Sequence, residues 1–270
     1  MANINFTKRW AMALMLAALV TSLFTNTKAQ TGFAANIGDE KSEAVIKRAI
    51  TLLGGDRYVN VTSVVSNGNF TQFAEGTALS FYSFNDYILY PDNERTEFKI
   101  NGARTVQVNT GQSGWTYDGA IKAIKDMKPA QVQDFQWFVI RTSVENLLRG
   151  GWRSTGATLK HTGRREAGLG KRNDVLRLLY PDGFAAEFEF TPDGFPAKVI
   201  YTRKDGEGNE AKEEDRLAQW VEISGIQAPL IVDHYRGGVQ FSRVNFKTVE
   251  FNKPLPPAFF TRPATAKDLK

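Results

Sequence analysis

The chain of 270 residues contains no cysteine and only two histidines. The first absence excludes disulfides, thiol chemistry, cysteine-ligated zinc and the acylated cysteine that anchors a bacterial lipoprotein. The second leaves His161 and His234 on separate predicted strands with no metal-ligand spacing around either, so both read as surface or turn residues. There is no Gly-x-Ser-x-Gly elbow. Gly170-Lys171 hints at a phosphate loop, but Arg165 occupies the position of its first glycine and Arg172 that of its Ser/Thr. The expectation is no cofactor, no metal and no catalytic residues, and hence no enzyme. A large excess of one charge is missing too. The formal net charge is +5, and Lys8, Arg9 and Lys28 contribute three of it from a segment, 1–29, that holds no acid. Without that segment the excess falls to +2, and a nucleic-acid partner loses its support.

That segment reads as a signal peptide. Lys8 and Arg9 precede an apolar stretch from Trp10 to Phe24, and Thr27-Lys28-Ala29 supplies a small-residue cleavage site before Gln30. A membrane anchor is the other reading, but a run of about 15 residues is short of the ~20 that a bilayer needs. The remainder, 30–270, is predicted to be one domain, with a short lead-in over 30–39. It is large enough to hold itself together by an ordinary apolar core without disulfides. Export without cysteine points to a bacterial periplasm or cell surface rather than to a eukaryotic secretory route. The sequons Asn60-Val-Thr62 and Asn69-Phe-Thr71 carry no meaning there.

What is abundant is antiparallel strand. Pro181-Asp182-Gly183 and Pro192-Asp193-Gly194 write one turn twice, with proline presetting φ and glycine taking the positive-φ position. Between them Ala186, Phe188 and Phe190 alternate with Glu187 and Glu189, the pattern of a half-buried strand. The two glutamates then fall on a solvated outer face. Further strands are predicted over 58–67, turning at Asn67-Gly68, and over 70–73, 78–90, 95–100, 105–109 and 114–117. Asn101-Gly102 marks a hairpin between the fourth and fifth of these. The series resumes at 157–162, 174–180, 185–191, 196–203, 214–223, 229–236 and 239–251, with Gly237-Gly238 closing the last hairpin. Lys204 to Asp215 reads as a charged loop. Two main helices complete the pattern. Glu40 to Leu53 has its stripe on Ala44, Val45, Ala49, Ile50 and Leu53 and stops at Gly54-Gly55. A second runs from about Pro129 to Leu148 and ends at Gly150-Gly151. The predicted fold is mainly β with α: about ten or eleven antiparallel strands and two main helices in one domain.

One strand is apolar on both sides. Leu79, Phe81, Tyr87 and Leu89 share one face of 78–90, and Tyr82, Phe84, Ile88 and Tyr90 the other. Such a strand must be covered twice. Helices can provide one cover; the other is either a packed barrel core or a cavity with a ligand. Arg164, Arg165, Lys171 and Arg172 cluster around a glycine-rich turn, either as a solvated loop or as a surface for anionic headgroups or an acidic partner.

In this order of elements the chain resembles the LolA/LolB-like outer-membrane lipoprotein-sorting proteins. The resemblance rests on Leu52-Leu53-Gly54-Gly55 before the strand Val61 to Val65, Tyr90-Pro91 with Arg95-Thr-Glu97, and Gly114-Trp115 before a central helix. It continues in Gly225-Ile-Gln-Ala-Pro229, Val249-Glu-Phe-Asn252, Leu255 and Phe259-Phe260 with Pro263. It implies a strongly curved, unclosed antiparallel sheet, or half-barrel, whose concave apolar face is lidded by helices with acyl chains bound between. Strand parity then makes Leu79, Phe81, Tyr87, Leu89, Phe188 and Phe190 the candidate lipid-binding residues. The family's carrier has a lid-latching arginine directly before a proline. Here Tyr90 precedes Pro91 and Arg95 follows four later, so that role is not given to Arg95. Lacking cysteine, the chain does not match the form of the family that is itself a lipoprotein.

The function so implied is a periplasmic carrier for lipid or lipoprotein acyl chains. Besides the acyl chains, its partner would be an inner-membrane transporter or an outer-membrane acceptor, with peripheral membrane contact at most. The alternative is an RseB-like sensor or adaptor on the same fold, docking a membrane protein's periplasmic segment through the basic cluster.

Overall fold

The computed structural model describes residues 38–100, 102–204 and 209–269. The predicted signal peptide and most of the lead-in lie outside the described residues, as do Asn101 of the Asn101-Gly102 turn and 205–208 of the charged loop. Two meanders share one sheet. The first runs through β1 (Ser63–Ala74), β2 (Thr77–Leu89), β3 (Asn93–Ile100), β4 (Ala103–Thr110), β5 (Gly114–Asp118) and β6 (Ala123–Asp126). The second runs through β7 (Thr158–Glu166), β8 (Arg172–Leu179), β9 (Ala185–Phe190), β10 (Pro196–Lys204), β11 (Glu210–Ile223), β12 (Ile226–Arg236) and β13 (Val239–Phe251). The sheet order is β6-β5-β4-β3-β2-β1-β13-β12-β11-β10-β9-β8-β7. β1 and β13 meet antiparallel at the centre, so β6 and β7 become opposite edges of a curved sheet that does not close. The chain must therefore travel from one edge to the other between β6 and β7. That crossing carries the second set of helices.

Among the described residues the sheet has thirteen strands, more than the ten or eleven expected; 58–67 and 70–73 merge into β1, and 123–126 adds a short edge strand not among those expected. Both Pro-Asp-Gly turns form, with the Gly183 N–H donating to the Tyr180 carbonyl and the Gly194 N–H to that of Thr191. Asn67-Gly68, by contrast, is no turn. β1 runs through it with a bulge in its pairing to β13. A Cβ at residue 68 would overlap the Asn245 carbonyl of β13, so the glycine there serves close backbone approach rather than chain reversal. Glu210 to Asp215 of the expected loop is strand, its pairing to β10 and β12 fixed while Arg236 holds Glu213 at 2.6 Å.

The first helix, α1 (Glu40–Leu53), is capped by Asp39, whose carboxylate accepts from the Ser42 N–H at 2.9 Å and from the His161 N–H of β7 at 2.8 Å. Its buried stripe is Val45, Ile46, Ala49 and Leu53. Ala44 is exposed, so the stripe is rotated slightly from the expected one. A short helix, α2 (Asp56–Val59), occupies the predicted start of the first strand. The crossing is not one helix. It comprises α3 (Pro129–Phe135), a π-turn over Gln136–Ile140 and α4 (Val144–Leu148). Ser143 causes the break: it is extended (φ −69°, ψ 140°) and its hydroxyl accepts from the Asn146 N–H, restarting the helix.

The main core lies between these helices and the concave face of the second meander, around Leu53, Leu147, Trp152, Leu176, Phe188 and Phe190. A smaller core lies on the convex side, where the segment after β13 folds back over β4 and β5 so that Phe260 packs on Val106, Val108 and Trp115. Arg95 pins this segment. It is buried, donates to the Phe259 carbonyl at 2.7 Å and lies 4.0 Å from the Phe259 ring, so its work is on the convex face.

Gly68→Ala is expected to lower stability by roughly 1–3 kcal/mol, the usual cost of forcing atoms into a closed contact. Urea unfolding measures it, and a variant as stable as the parent would show that β1 and β13 do not approach this closely.

Candidate functional site

A cavity of about 370 Å³ lies between the concave face and the crossing, within the ~300–1,000 Å³ typical of small-molecule sites. Val64 and Ile88 form its floor from the first meander, and Val199, Leu217, Trp220, Ala228, Val232, Val249 and Phe251 from the second. Leu53 and Val61 close one side, and Phe138, Val139 and Val144 of the crossing form the roof. Alternation explains most of the floor, because every second residue of a strand meets the same space. On β11 the unpaired Gln219 (φ 55°) interrupts it, so that Leu217 and Trp220 both line the cavity. Two arginines fasten the roof to the second meander. Arg203 of β10 pairs with Asp134 at 2.9 Å and lies 4.5 Å from the Phe138 ring. Arg141 pairs with Asp182 at 2.6 Å and lies 4.4 Å from the Tyr180 ring.

The polar groups of this cavity are unusual in their partners. On β11 and β12, His234 Nδ1 and Asp215 Oδ1 are 2.6 Å apart. Burial opposes charge on that imidazole, but the hydrogen-bonded carboxylate prevails and raises its pKa. At the other polar cluster, Asp86 of β2 and Glu145 of α4 both line the cavity, with Tyr58, Tyr90 and Arg149. Glu94 joins them, since it pairs with Ile88 and so shares the concave face. Burial pushes the Asp86 and Glu94 carboxyls up. Glu94 is displaced further, to about 8, because the Asp86 charge adds repulsion to its desolvation. Burial raises Glu145 as well. Among the described residues, none of the three carboxylates forms an ion pair. Arg149 is engaged with the Val61 carbonyl and the Tyr90 ring, 4.2 Å away. The Tyr58 hydroxyl is buried without a hydrogen-bond partner.

The six residues expected from parity lie elsewhere. Leu79 and Phe81 are 54% and 70% exposed near the β1–β2 hairpin tip. Tyr87 meets the Phe259 ring at 4.8 Å and Leu89 packs against the convex core. Phe188 and Phe190 do face inward, but they are fully buried in the core shared with α1 and α4. None of the six lines the cavity. With both faces of β2 apolar, parity could not say which was concave. Asp86, the one charge within that strand, was the available signal. Glu189, expected on a solvated face, is fully buried, held by Arg165 at 2.8 Å and Asn173 at 3.0 Å. His161 is likewise no free surface group, since its Nε2 lies 3.1 Å from Asp174 Oδ1. Within the basic cluster, Arg164 is committed to Asp174 and Arg165 to Glu187 and Glu189. Among the described residues, no group of three acidic or histidine side chains is placed to hold a metal ion, and no helix is long and apolar enough to cross a membrane.

A carboxyl with a raised pKa in the folded state binds its proton more tightly there than in the unfolded chain. It therefore subtracts stability as pH rises from the ordinary carboxylate range towards about 8. Glu94→Gln is expected to be more stable than the parent by on the order of 4 kcal/mol at pH 8, with the difference vanishing near pH 4. Paired urea titrations at the two pH values test it, and a difference independent of pH would show that Glu94 is solvated.

No family model and no curated protein matches this sequence. Solved structures do match. A LolA superfamily protein from Nitrosomonas europaea aligns over 82% of this chain and 97% of its own, with TM-score 0.56 and 12% identity. A DUF1329 family protein from Desulfovibrio piger aligns over the same shares, with TM-score 0.56 and 13% identity. An outer membrane lipoprotein-sorting protein domain from Vibrio parahaemolyticus aligns over 81% and 97%, with TM-score 0.54 and 12% identity. The arrangement resembled in short segments from Leu52 to Pro263 is thus present as an architecture: the chain has the LolA-like fold.

Proposed function

We propose that this protein is a periplasmic carrier that holds the acyl chain of a lipid or lipoprotein in the cavity beneath the crossing. The observation that carries the reading is the cavity itself, an apolar floor and roof between a curved sheet and a helical segment fastened to it by side chains. Two similar structures, a LolA superfamily protein and a lipoprotein-sorting domain, support it. Export by residues 1–29 would put the domain between two membranes, where an inner-membrane transporter loads it and an outer-membrane acceptor unloads it.

Energetics set what such a carrier must do. Each methylene that leaves a bilayer loses ~0.8 kcal/mol, so one long chain forgoes on the order of 10 kcal/mol. An apolar cavity returns that energy without the hydrogen bonds that hydrocarbon cannot make. The roof is the part whose movement would widen the way in and out. The Arg203–Asp134 and Arg141–Asp182 pairs are partly exposed, and such pairs are worth ~0.2–1 kcal/mol each. They hold the roof without locking it. No catalytic step is part of this reading.

Native mass spectrometry of protein isolated from a bacterial periplasm is expected to show co-purifying acylated species. A bare mass, unchanged by added lipids or lipopeptides, would sink the proposal. Ala228→Phe, which puts bulk on the cavity floor, is expected to weaken binding of a fluorescent acyl probe at least tenfold; unchanged affinity would put the chain elsewhere. Replacing Arg141 and Arg203 together by alanine is expected to speed probe release roughly three- to tenfold in stopped-flow exchange, from the loss of two such pairs. An unchanged rate would remove the crossing from the role of lid.

A further inference from the structure

Elsewhere in this molecule buried carboxylates are matched with cations. Asp174 meets Arg48, Arg164 and His161, Glu189 meets Arg165, Glu213 meets Arg236, and Asp233 meets Arg243. One end of the cavity breaks this habit. Asp86 of β2 and Glu145 of α4 line that end, and Glu94 of β3 lies beside Asp86 on the same face. Among the described residues none of the three forms an ion pair, while the Thr96 hydroxyl donates to Asp86 at 2.8 Å. The guanidinium of Arg149 bonds to the Val61 carbonyl and lies over the Tyr90 ring, and its charge is felt by Glu145 without forming an ion pair. A second, independent feature sits at the same end. Tyr58 is only 8% exposed, lines the cavity, and its hydroxyl has no partner. A buried hydroxyl without a partner costs ~1–3 kcal/mol, a deficit that a ligand acceptor can repair.

We infer that this end of the cavity is a headgroup subsite for a primary ammonium carried close to the acyl attachment of the cargo. The ammonium sits among Glu145, Asp86 and Glu94, and the Tyr58 hydroxyl donates to a carbonyl or ether oxygen beside it. The inference rests on the carrier reading above and adds which amphiphiles the carrier prefers. A divalent metal does not meet the same observations, because the carboxylates are not gathered closely enough to form a coordination shell. An ammonium needs no such shell: it is a compact charge with three donors that can be shared among spaced acceptors. Burial, and for Glu94 the neighbouring Asp86 charge as well, leaves these carboxyls reluctant to ionise, and an arriving cation restores their charge. The apolar floor next to them, Val64 and Ile88, takes the chain.

The test is titration calorimetry of the delipidated full domain with decylamine, decanol and decanoate, each below its micelle concentration at pH 7. The expected result is decylamine binding at least tenfold more tightly than either of the others. In the Glu94→Gln/Glu145→Gln variant the ratio of amine to alcohol affinity is expected to fall to threefold or less, and in Tyr58→Phe the preference for an ester-bearing amine over a plain alkylamine is expected to disappear. Equal affinities for all three wild-type ligands would overturn the headgroup subsite and leave the carrier reading standing. Decanoate binding best would overturn it in favour of Arg149 as the anchor. No binding of any of them would remove the carrier reading and the subsite with it. The wild-type series needs no variant to fold.

Discussion

The pairing of β1 with β13 is the constraint from which the rest of the molecule follows. It joins the first strand of one meander to the last strand of the other, so their far ends become the two edges of one open sheet. The chain must then cross from β6 to β7, and in a curved sheet the short way runs over the hollow. The crossing is thus a roof before it is anything else. Gly68 makes the seam possible by letting the Asn245 carbonyl approach a backbone that carries no side chain. Edge exposure, the usual liability of such a sheet, is limited by the shortness of β6 and by the charged side chains along β7.

The two faces of the sheet spend charge differently. On the convex side and along the second meander, arginines and carboxylates lock strand to strand, as Arg165 does with Glu187 and Glu189, and Arg104 with Glu97. Arg95 adds a backbone bond that ties the C-terminal segment over the small convex core. On the concave side Asp86 and Glu145 line a cavity, with Glu94 beside Asp86; none has an ion partner among the described residues, and their proton affinities rise accordingly. A fold that tolerates this arrangement gives up stability at one place, and such local sacrifices concentrate where ligands bind.

The cavity joins an adaptable part to a fixed one. Its floor is carried by hydrogen-bonded strands whose side chains are held by alternation, while its roof is a helix broken at Ser143 and containing a π-turn over Gln136–Ile140. The roof touches the rest of the protein through aromatic contacts, such as Phe138 on Tyr201 at 5.8 Å, and through two partly exposed arginine pairs. The proposed cargo, hydrocarbon at one end and polar at the other, matches this division. Hydrocarbon asks only for volume, whereas a headgroup asks for groups in place.

Local chemistry was legible in the sequence because it acts over a few residues. The Pro-Asp-Gly turns at 181–183 and 192–194, the α1 stop at Gly54-Gly55, and the period-two strands such as Ala186-Glu-Phe-Glu-Phe190 all appear where φ preferences and alternation put them. So did the fold class, since a long run of antiparallel strands with few helices has few ways to bury one face. The same alternation misled at β2, where both faces are apolar and only the partner strands decide which one is hollow. Gly68 looked like half of a turn because its real reason, the Asn245 carbonyl, lies in a strand far along the chain. Glu189 looked solvated because Arg165 and Asn173 reach it from another hairpin. The site itself, with Tyr58, Asp86, Glu94 and Glu145, is assembled from four elements with no common spacing. Sequence by itself determined the elements, whose forces are local; tertiary structure alone decided the seam, the hollow face and the unpaired charges, whose partners are remote in the chain.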